Sequence, residues 1–231
     1  MFSKIRGYFS ILHLIVTIFF LMVAMFLFNK HHRIIRKKWN AWQSFFLRYK
    51  IVQKGSFHPD ATLLLINHQG ILDIIAIEAL HPADPAWIAK KELAQLPILG
   101  HMVSIPEMIP VDRKDRRSLV KLLVDVKDRI NKGRVIAMFP EGTRGNGDKL
   151  LKFQSGAKVL AEKLNLKVQP IIISGSRYLL DTKTPAAHSG TMTITCLDLV
   201  DPKADENWYE NVKEAMSKVF ADELANNPSH R

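Results

Sequence analysis

A strand, a tight turn and a helix are predicted to follow one another in ATLLLINHQGILDIIAIEAL, residues 61–80 of the 231-residue chain. The apolar strand ATLLLI ends at Asn67 and His68, Gly70 permits the turn, and Asp73 stands where the helix begins. A histidine and a carboxylate thus interrupt two apolar runs. This interruption indicates a functional site at the carboxyl end of a strand.

Short apolar runs and helical patterns alternate through the rest of the chain. The runs are AWIAK, MIPVDR, VIAMFP, VQPIIISG and TMTITCLDLV, and helical stretches such as RRSLVKLLVDVKDRINKG and GAKVLAEKLN lie between them. Strands that alternate with helices of about 10–15 residues indicate an α/β domain. We therefore predict a mixed, largely parallel sheet flanked by helices, with ligands at the carboxyl ends of the strands.

His68 and Asp73 are the first candidates for catalysis. A neutral imidazole is a base suited to pH 7, and a carboxylate that accepts its other ring N–H fixes the tautomer and stabilises the imidazolium. The alternative is structural: Asp73 caps the helix and His68 packs in the turn. The residues alone leave both interpretations open.

A second candidate is the loop FPEGTRGNG, residues 139–147, directly after the predicted strand VIAM. Its glycines let the backbone approach a ligand closely, and Arg144 can grip a phosphate through two parallel hydrogen bonds. This pattern is typical of an anion-binding loop, and equally of a solvated turn.

Two further stretches carry weaker signals. In IPVDRKDRR, residues 109–117, Arg113 is either a second phosphate ligand or part of a solvated helix start. In VQPIIISG, residues 168–175, Pro170 indicates an edge position or a strand start, and the stretch otherwise is typical of core.

The positive charge of the chain is confined to its N-terminal segment. The formal net charge is +11, yet residues 1–55 hold ten Lys and Arg and no acidic residue. Residues 56–231 then contain 23 basic and 22 acidic residues, a net charge of +1. This near-neutral domain argues against a nucleic-acid partner and favours an anionic membrane surface for the N-terminal segment.

A membrane helix is predicted within that segment. Residues 8–28 carry no formal charge, and as a helix they span about 30 Å, the thickness of bilayer hydrocarbon. The run is too long for a signal-peptide core and lacks a small-residue cleavage site. Basic residues follow it, which places the remaining chain at the cytoplasmic side of the cell membrane. Whether the helix spans the bilayer or is re-entrant is left open by the sequence.

Aromatic residues continue the segment in WNAWQSFFLRYKIV, residues 39–52, at a spacing of three or four. This spacing predicts a helix in the lipid headgroup layer, or an ordinary amphipathic helix packed on the domain. We place the boundary near residue 55, giving an anchor and interfacial helix over residues 1–55 and a catalytic domain over residues 56–231. The lone Cys196 excludes an internal disulfide, suits a reducing compartment, and is predicted to be a packed thiol.

The motifs together resemble those of the lysophosphatidic acid acyltransferases, within the glycerophospholipid acyltransferase superfamily. NHQGILD matches the family signature N-H-x-x-x-x-D, and FPEGTR contains its E-G-T-R block unchanged. IPVDR and VQPIII look like two weaker blocks, and Pro110 departs from the bulky apolar residue that is common in the first of them. The resemblance covers roughly residues 61–175.

The resemblance implies a mechanism and roles for the candidate residues. His68 would be the general base on a glycerol hydroxyl, and Asp73 would orient its ring. Arg144 and Arg113 would hold the acceptor phosphate, and Glu141 would contact the glycerol or order the loop. Gly142 and Thr143 complete the substrate-binding loop.

The resemblance also implies the partners. These are lysophosphatidic acid, membrane lipids and an acyl thioester carried by coenzyme A or by acyl-carrier protein, with no metal and no cofactor. No acyl-enzyme is expected, because the chain has no G-x-S-x-G motif and its single thiol lies outside the motif blocks. Backbone amides near Gly70 are the expected donors to the oxyanion.

Three other functions are compatible with parts of the sequence. An acyltransferase of the same superfamily acting on glycerol-3-phosphate, another lysophospholipid or a lyso-aminolipid shares every motif named above. A metal-dependent phosphohydrolase would use His68, Asp73 and Glu141, a small ligand set without a D-x-D or H-x-x-x-H cluster. A membrane-tethered nucleic-acid binder is disfavoured by the near-neutral domain.

Overall fold

The computed structural model describes residues 2–97, 100–112 and 118–227. Its strands are β1 (Tyr49–Lys54), β2 (Leu63–Ile66), β3 (Pro85–Lys90), β4 (Ile109–Val111), β5 (Val135–Met138), β6 (Val168–Ser174), β7 (Leu180–Asp181), β8 (Ala186–Ala187) and β9 (Gly190–Cys196). Its helices are α1 (Phe2–Leu27), α2 (His32–Phe46), α3 (Ile71–Leu80), α4 (Lys91–Ala94), α5 (His101–Ser104), α6 (Ser118–Asn131), α7 (Ser155–Leu164), α8 (Ser176–Leu179) and α9 (Trp208–Asn226). A single 3₁₀ turn at Asn29–His31 joins α1 to α2.

The described part of the chain contains one main sheet of seven strands, in the order β1-β9-β6-β2-β5-β3-β4. The five strands from β6 to β4 are parallel to one another, and β9 pairs antiparallel with β6. β1 pairs parallel with β9, so both of these strands run opposite to the other five. The predicted α/β fold with a mixed, largely parallel sheet is confirmed.

The central strand β2 shows why its sequence is continuously apolar. Leu63 and Leu65 pack on one face of the sheet with side chains of α6, α7 and α9. Leu64 and Ile66 point to the other face and pack with α1 and α3. All four are fully buried, because helices cover both faces and each strand residue faces one of the two cores.

The position of Pro170 differs from both of its predicted settings, because Pro170 is the third residue of β6 and β6 is not an edge strand. β6 lies inside the sheet between β9 and β2, so the prediction of an edge strand is wrong. The ladder to β9 begins at Ile171, one residue later, so the missing N–H of Pro170 interrupts no ladder bond on that side. Its carbonyl accepts a hydrogen bond from the Leu197 amide at 3.0 Å.

Helix α1 packs against the domain along one face. Its buried residues recur at helical spacing, from Gly7 through Leu14 and Leu21 to Met25, and contact α2 and the β7–β8 hairpin. The opposite face exposes large apolar side chains to the surroundings. Among the described helices, α1 is the one long and apolar enough to cross a membrane.

Gly7 marks the closest approach of α1 to the hairpin. A Cβ atom at this position would lie 2.5 Å from the Ala186 nitrogen and 2.5 Å from the Pro185 carbonyl carbon. Since real Cβ atoms do not approach backbone this closely, a side chain at residue 7 is incompatible with the observed packing.

Helix α2 is fixed to the domain by buried ion pairs. Arg36 donates to Glu78 at 2.8 Å and to Asp84 at 2.5 Å, and Arg33 donates to Glu78 at 3.0 Å. These contacts attach α2 to the end of α3 and to the residue before β3. Arg36 and Glu78 are almost fully buried, so removing one of them would leave an unpaired buried charge.

The structure also corrects the predicted extent of the second helix. The helix ends at Phe46, and Tyr49–Lys54, whose first four residues were predicted to be helical, forms the edge strand β1. The residues on both sides of the predicted boundary near residue 55 therefore contribute to the main sheet.

Candidate active site

The carboxyl ends of β2, β5 and β6 lie side by side at one edge of the sheet, because the three strands are parallel neighbours. Asn67 directly follows β2 and hydrogen-bonds through its side chain to β6. Its Nδ2 donates to the Ile173 carbonyl at 2.9 Å, and its Oδ1 accepts from the Ile173 amide at 2.6 Å. The Asn67 side chain thus forms with β6 the pair of hydrogen bonds that a strand backbone would form. The backbone is therefore free to leave the sheet at His68.

The turn brings His68 and Asp73 into direct contact. The distance from His68 Nδ1 to Asp73 Oδ2 is 2.8 Å. The same oxygen accepts the backbone N–H groups of Gln69 and Gly70 at 2.7 and 2.8 Å. Because the carboxylate faces Nδ1, we assign the ring proton to Nδ1, which leaves Nε2 with its lone pair.

Aromatic packing fixes the plane of the imidazole. The His68 ring stacks on Phe139 with the ring centroids 3.8 Å apart and the planes 11° from parallel. Phe139 in turn stacks on Trp87, whose Nε1 donates to Glu78 at 2.8 Å. Only 12% of the His68 side chain is exposed, and no described residue hydrogen-bonds to its Nε2. The arrangement presents one basic nitrogen for chemistry.

Ser176 contacts the second oxygen of Asp73, and the sequence patterns did not identify it. Its hydroxyl donates to Asp73 Oδ1 at 2.5 Å and lies 3.1 Å from the side-chain amide of Gln69. A serine hydroxyl has one proton, and Asp73 accepts it. The Gln69 side chain must therefore donate to the Ser176 oxygen, which requires its amide nitrogen to face Ser176. That orientation also gives a partner to the buried Gln69 Nε2, which has none as placed.

The buried Glu141 joins the His68 turn to the loop after β5. Its Oε1 accepts the His68 amide at 2.7 Å, and its Oε2 accepts the Leu151 amide at 2.7 Å. Burial raises the pKa of Glu141 to about 7, although both hydrogen bonds favour the carboxylate. Of its two expected roles, the geometry favours ordering the loop, since both oxygens already bond to backbone.

The loop carrying Arg144 closes over the same turn. The Gly145 amide donates to the His68 carbonyl at 2.8 Å, which places Arg144 one residue from a direct contact with the His68 backbone. Arg144 Nη1 lies 3.3 Å from the Thr182 hydroxyl. It forms no ion pair with any described residue, so its guanidinium retains donors for an anion.

Arg177 hydrogen-bonds to the loop that carries Arg144, and it is a second residue that the sequence patterns did not identify. Its Nη1 donates to the Gly145 carbonyl at 2.9 Å, and its Nη2 lies 3.1 Å from Asp181 Oδ2. A Cβ at Gly147 would meet the Arg177 side chain at 3.3 Å, and Gly147 has a positive φ of 88°. Small size and left-handed backbone both favour glycine here.

The remaining residues predicted to bind substrate are Gly142, Thr143 and Arg113. Thr143 is exposed in the loop, and the Gly142 amide donates to the Phe139 carbonyl at 3.0 Å. Arg113 lies outside the described residues. Its neighbour Asp112 has a carboxylate oxygen 3.6 Å from the Lys91 ammonium.

The structure bears on two chemical questions, namely which amides could stabilise an oxyanion and whether a metal-binding group is present. The amides of Gln69 and Gly70 donate to Asp73, so the expectation that amides near Gly70 stabilise an oxyanion is not supported by their geometry. Among residues 2–97, 100–112 and 118–227, no three His, Cys, Asp or Glu side chains form a group able to hold a metal ion.

Comparison with known proteins identifies the family of the chain. A family model described as Acyltransferase matches residues 49–174, and the chain belongs to the acyltransferase family. It is 36% identical to the 1-acyl-sn-glycerol-3-phosphate acyltransferase of Helicobacter pylori over 212 residues, covering 90% of each chain. The predicted resemblance to the lysophosphatidic acid acyltransferases is thereby confirmed.

Two other relatives extend the comparison. A chloroplastic 1-acyl-sn-glycerol-3-phosphate acyltransferase of Arabidopsis thaliana is 31% identical over 88% of this chain, and the match spans 61% of the plant protein. The crystal structure of the 1-acyl-sn-glycerophosphate acyltransferase of Thermotoga maritima superposes with a TM-score of 0.75 at 24% identity. That match covers 97% of this chain and 95% of the other, and it confirms the fold.

Proposed function

We propose that the protein transfers an acyl chain from an acyl thioester to the free sn-2 hydroxyl of 1-acylglycerol-3-phosphate, forming phosphatidic acid. The observation that carries the proposal is the pairing of His68 with Asp73 on a turn that is hydrogen-bonded to the loop of Arg144, whose guanidinium forms no ion pair with a described residue. A base and a phosphate ligand on adjoining loops match an acceptor that has both a hydroxyl and a phosphate. The names of the relatives support the same acceptor.

His68 acts as the general base through Nε2. It takes the proton of the acceptor hydroxyl as that oxygen forms a bond to the thioester carbonyl carbon. The tetrahedral adduct then collapses, the C–S bond breaks, and the imidazolium returns the proton to the departing thiolate. Asp73 holds the ring through Nδ1 and stabilises its positive charge during the step.

Arg144 binds the acceptor phosphate and so places the hydroxyl near His68. An arginine fork matches two phosphate oxygens, and the backbone bond from Gly145 to His68 fixes the loop relative to the base. Such positioning supplies much of the rate enhancement, because general-base catalysis contributes only about 10²–10⁴-fold. Arg113 is proposed as a second phosphate ligand on the strength of the motif alone.

The transfer is direct, without a thioester intermediate on the protein. Cys196 ends β9, which β6 separates from β2, and it packs against buried apolar residues of the core. Burial also raises the pKa of Cys196 to about 11, which disfavours the nucleophilic thiolate. Both coenzyme A and acyl-carrier protein present a suitable thioester donor.

The proposed site of action is the cytoplasmic face of the cell membrane. The outer face of α1 exposes Phe9, Leu12, Val16 and Phe20, each at least 44% accessible, while its inner face packs on the domain. A helix attached to the domain along its length is better suited to lying within one leaflet than to crossing both. The basic residues after α1 favour the cytoplasmic side.

The proposal is tested by supplying purified protein with lysophosphatidic acid and either acyl-coenzyme A or acyl-carrier protein, and identifying the lipid formed. Glycerol-3-phosphate and other lysophospholipids serve as competing acceptors. His68→Ala and Asp73→Asn should lower kcat by roughly 10²-fold or more while preserving the melting temperature. His58→Ala, a change in the loop before β2, is the matched control and should retain full activity.

Retention of more than about a tenth of the wild-type turnover by His68→Ala contradicts the base assignment, given the size of general-base effects. Preferential acylation of glycerol-3-phosphate by the wild-type protein would instead move the function to another acceptor within the same superfamily.

A further inference from the structure

The arginines of the described chain divide into two groups. Five of the eight form ion pairs with carboxylates: Arg33, Arg36, Arg129, Arg134 and Arg177. The three that form none with a described residue are Arg6, Arg48 and Arg144. Arg144 belongs to the candidate active site, and the other two lie together elsewhere. Unpaired arginines that share one place are candidates for binding an anion.

Arg6 and Arg48 line a pair of adjoining cavities of about 920 and 480 Å³, which together we call the α1–β1 groove. Both cavities include Phe46 and Arg48. Lys50 adds a third cation, and Phe9 lies beside Arg6 in the smaller cavity. The groove thus combines positive charge with apolar side chains.

The guanidinium of Arg6 is held in place before any ligand binds. Its Nη2 donates to the Leu47 carbonyl at 2.7 Å, and its Nη1 donates to the Ser189 hydroxyl at 3.2 Å. These bonds use two of its five N–H groups and leave the others for a further acceptor. A fixed arginine loses less conformational entropy when an anion binds than a mobile one does.

Arg48 occupies a backbone conformation that favours glycine or asparagine. It joins α2 to β1 with a φ of 58°, one of three non-glycine residues with positive φ in the described chain. Left-handed backbone is unfavourable for a residue with a Cβ. Arginine at this turn therefore sacrifices stability, which is expected where its side chain has a function.

The groove lies at the catalytic edge of the sheet but is separate from the acceptor site. Ser189, which contacts Arg6, precedes β9, and Thr182, which contacts Arg144, lies in the β7–β8 hairpin. The segment from residue 182 to residue 189 thus contacts Arg144 at its first residue and Arg6 at its last. Two anions can bind at its two ends without sharing a ligand.

We propose that the α1–β1 groove binds the phosphate headgroup of an anionic phospholipid of the surrounding bilayer. Arg6, Arg48 and Lys50 contact the phosphate, and the acyl chains follow the exposed side chains of Phe9 and Val16 along α1. Charge complementarity selects the ligand, because residues 1–55 contain no acidic side chain. The lipid is a bound component of the membrane and is distinct from the acylated substrate.

Short-chain phosphatidylglycerol, used below its micelle concentration, is the probe. It should raise the melting temperature of the full-length protein, and short-chain phosphatidylcholine should not. Arg48→Asn should abolish the response while keeping or raising the melting temperature without lipid, because asparagine tolerates the left-handed backbone. The double variant Arg6→Gln with Arg48→Asn should weaken flotation with phosphatidylglycerol-containing vesicles by roughly 30-fold.

Two controls separate the groove from other sources of binding. Lys30→Gln with Lys38→Gln removes two exposed charges from the same N-terminal segment and should retain the phosphatidylglycerol response. Arg144→Ala should retain it as well, since the acceptor site is separate. A response that survives in Arg48→Asn, or one lost in either control, overturns the proposal. None of these readouts depends on acyltransferase activity, so they remain informative if the proposed function fails.

Discussion

Replacing Gly7 by alanine tests the packing of α1 on the β7–β8 hairpin. The new Cβ would lie 2.5 Å from the Ala186 nitrogen and 2.7 Å from the Ala186 Cα. Ordinary contacts begin near 3.4 Å, so the helix and hairpin must separate by about 1 Å. Such overpacking costs about 1–3 kcal/mol, and the higher helix propensity of alanine returns up to about 1 kcal/mol.

The expected net result is a loss of up to about 2 kcal/mol in the free energy of unfolding, or up to about 8 °C in Tm. Displacement of the hairpin also moves Thr182, the contact of Arg144, so the KM for the acceptor should rise. Thermal unfolding in one detergent and steady-state kinetics measure the two effects.

Gly156→Ala is the matched control for this experiment. Gly156 is the second residue of α7, and its added Cβ would meet no atom within 4 Å. This substitution should raise the unfolding free energy by up to about 1 kcal/mol through helix propensity alone. If Gly7→Ala is as stable as Gly156→Ala, the close approach of α1 to the hairpin is refuted.

Three further substitutions address the active site. Arg144→Ala should raise the KM for the acceptor roughly tenfold or more with a smaller change in kcat, since it removes a charge-assisted bond to phosphate; an unchanged KM would count against the phosphate role. Ser176→Ala should lower kcat/KM roughly tenfold, because Asp73 loses a donor that fixes its carboxylate against His68; an unchanged kcat/KM would make Ser176 merely structural. The pKa of Glu141 is raised in the folded state, so its contribution to stability is present below about pH 4.5 and lost as pH rises through about 7, by up to about 3 kcal/mol. Glu141→Gln should remove that pH dependence from the unfolding free energy, and a wild-type profile that is already flat would contradict the burial argument.

Local patterns identified those parts of the site that are close in sequence. His68 and Asp73 are five residues apart, so a strand end, a glycine turn and a helix start suffice to bring them together. Ser176 contacts Asp73 from 103 residues away, and that contact depends on β6 pairing beside β2. No periodicity in the sequence specifies which strands become neighbours, so Ser176 was not predicted.

The same limit explains the wrong prediction of helix at residues 49–52. Aromatic residues at a spacing of three or four extend across the end of α2, which favours helix on local grounds. Pairing with β9, more than a hundred residues later, makes this stretch a strand instead. Long-range hydrogen bonding therefore overrides local preference at the edge of the sheet.

The docking of α1 on β8 has a consequence for biosynthesis. Leu27 ends the helix, and Ala186 follows it by 159 residues in the chain. At a translation rate of about 5–20 residues per second, the helix is synthesised roughly 8–32 s before its partner. Throughout that interval the face of α1 that packs on the hairpin lacks this partner, although α2 is already made, so lipid or a chaperone must shield that face until the hairpin emerges.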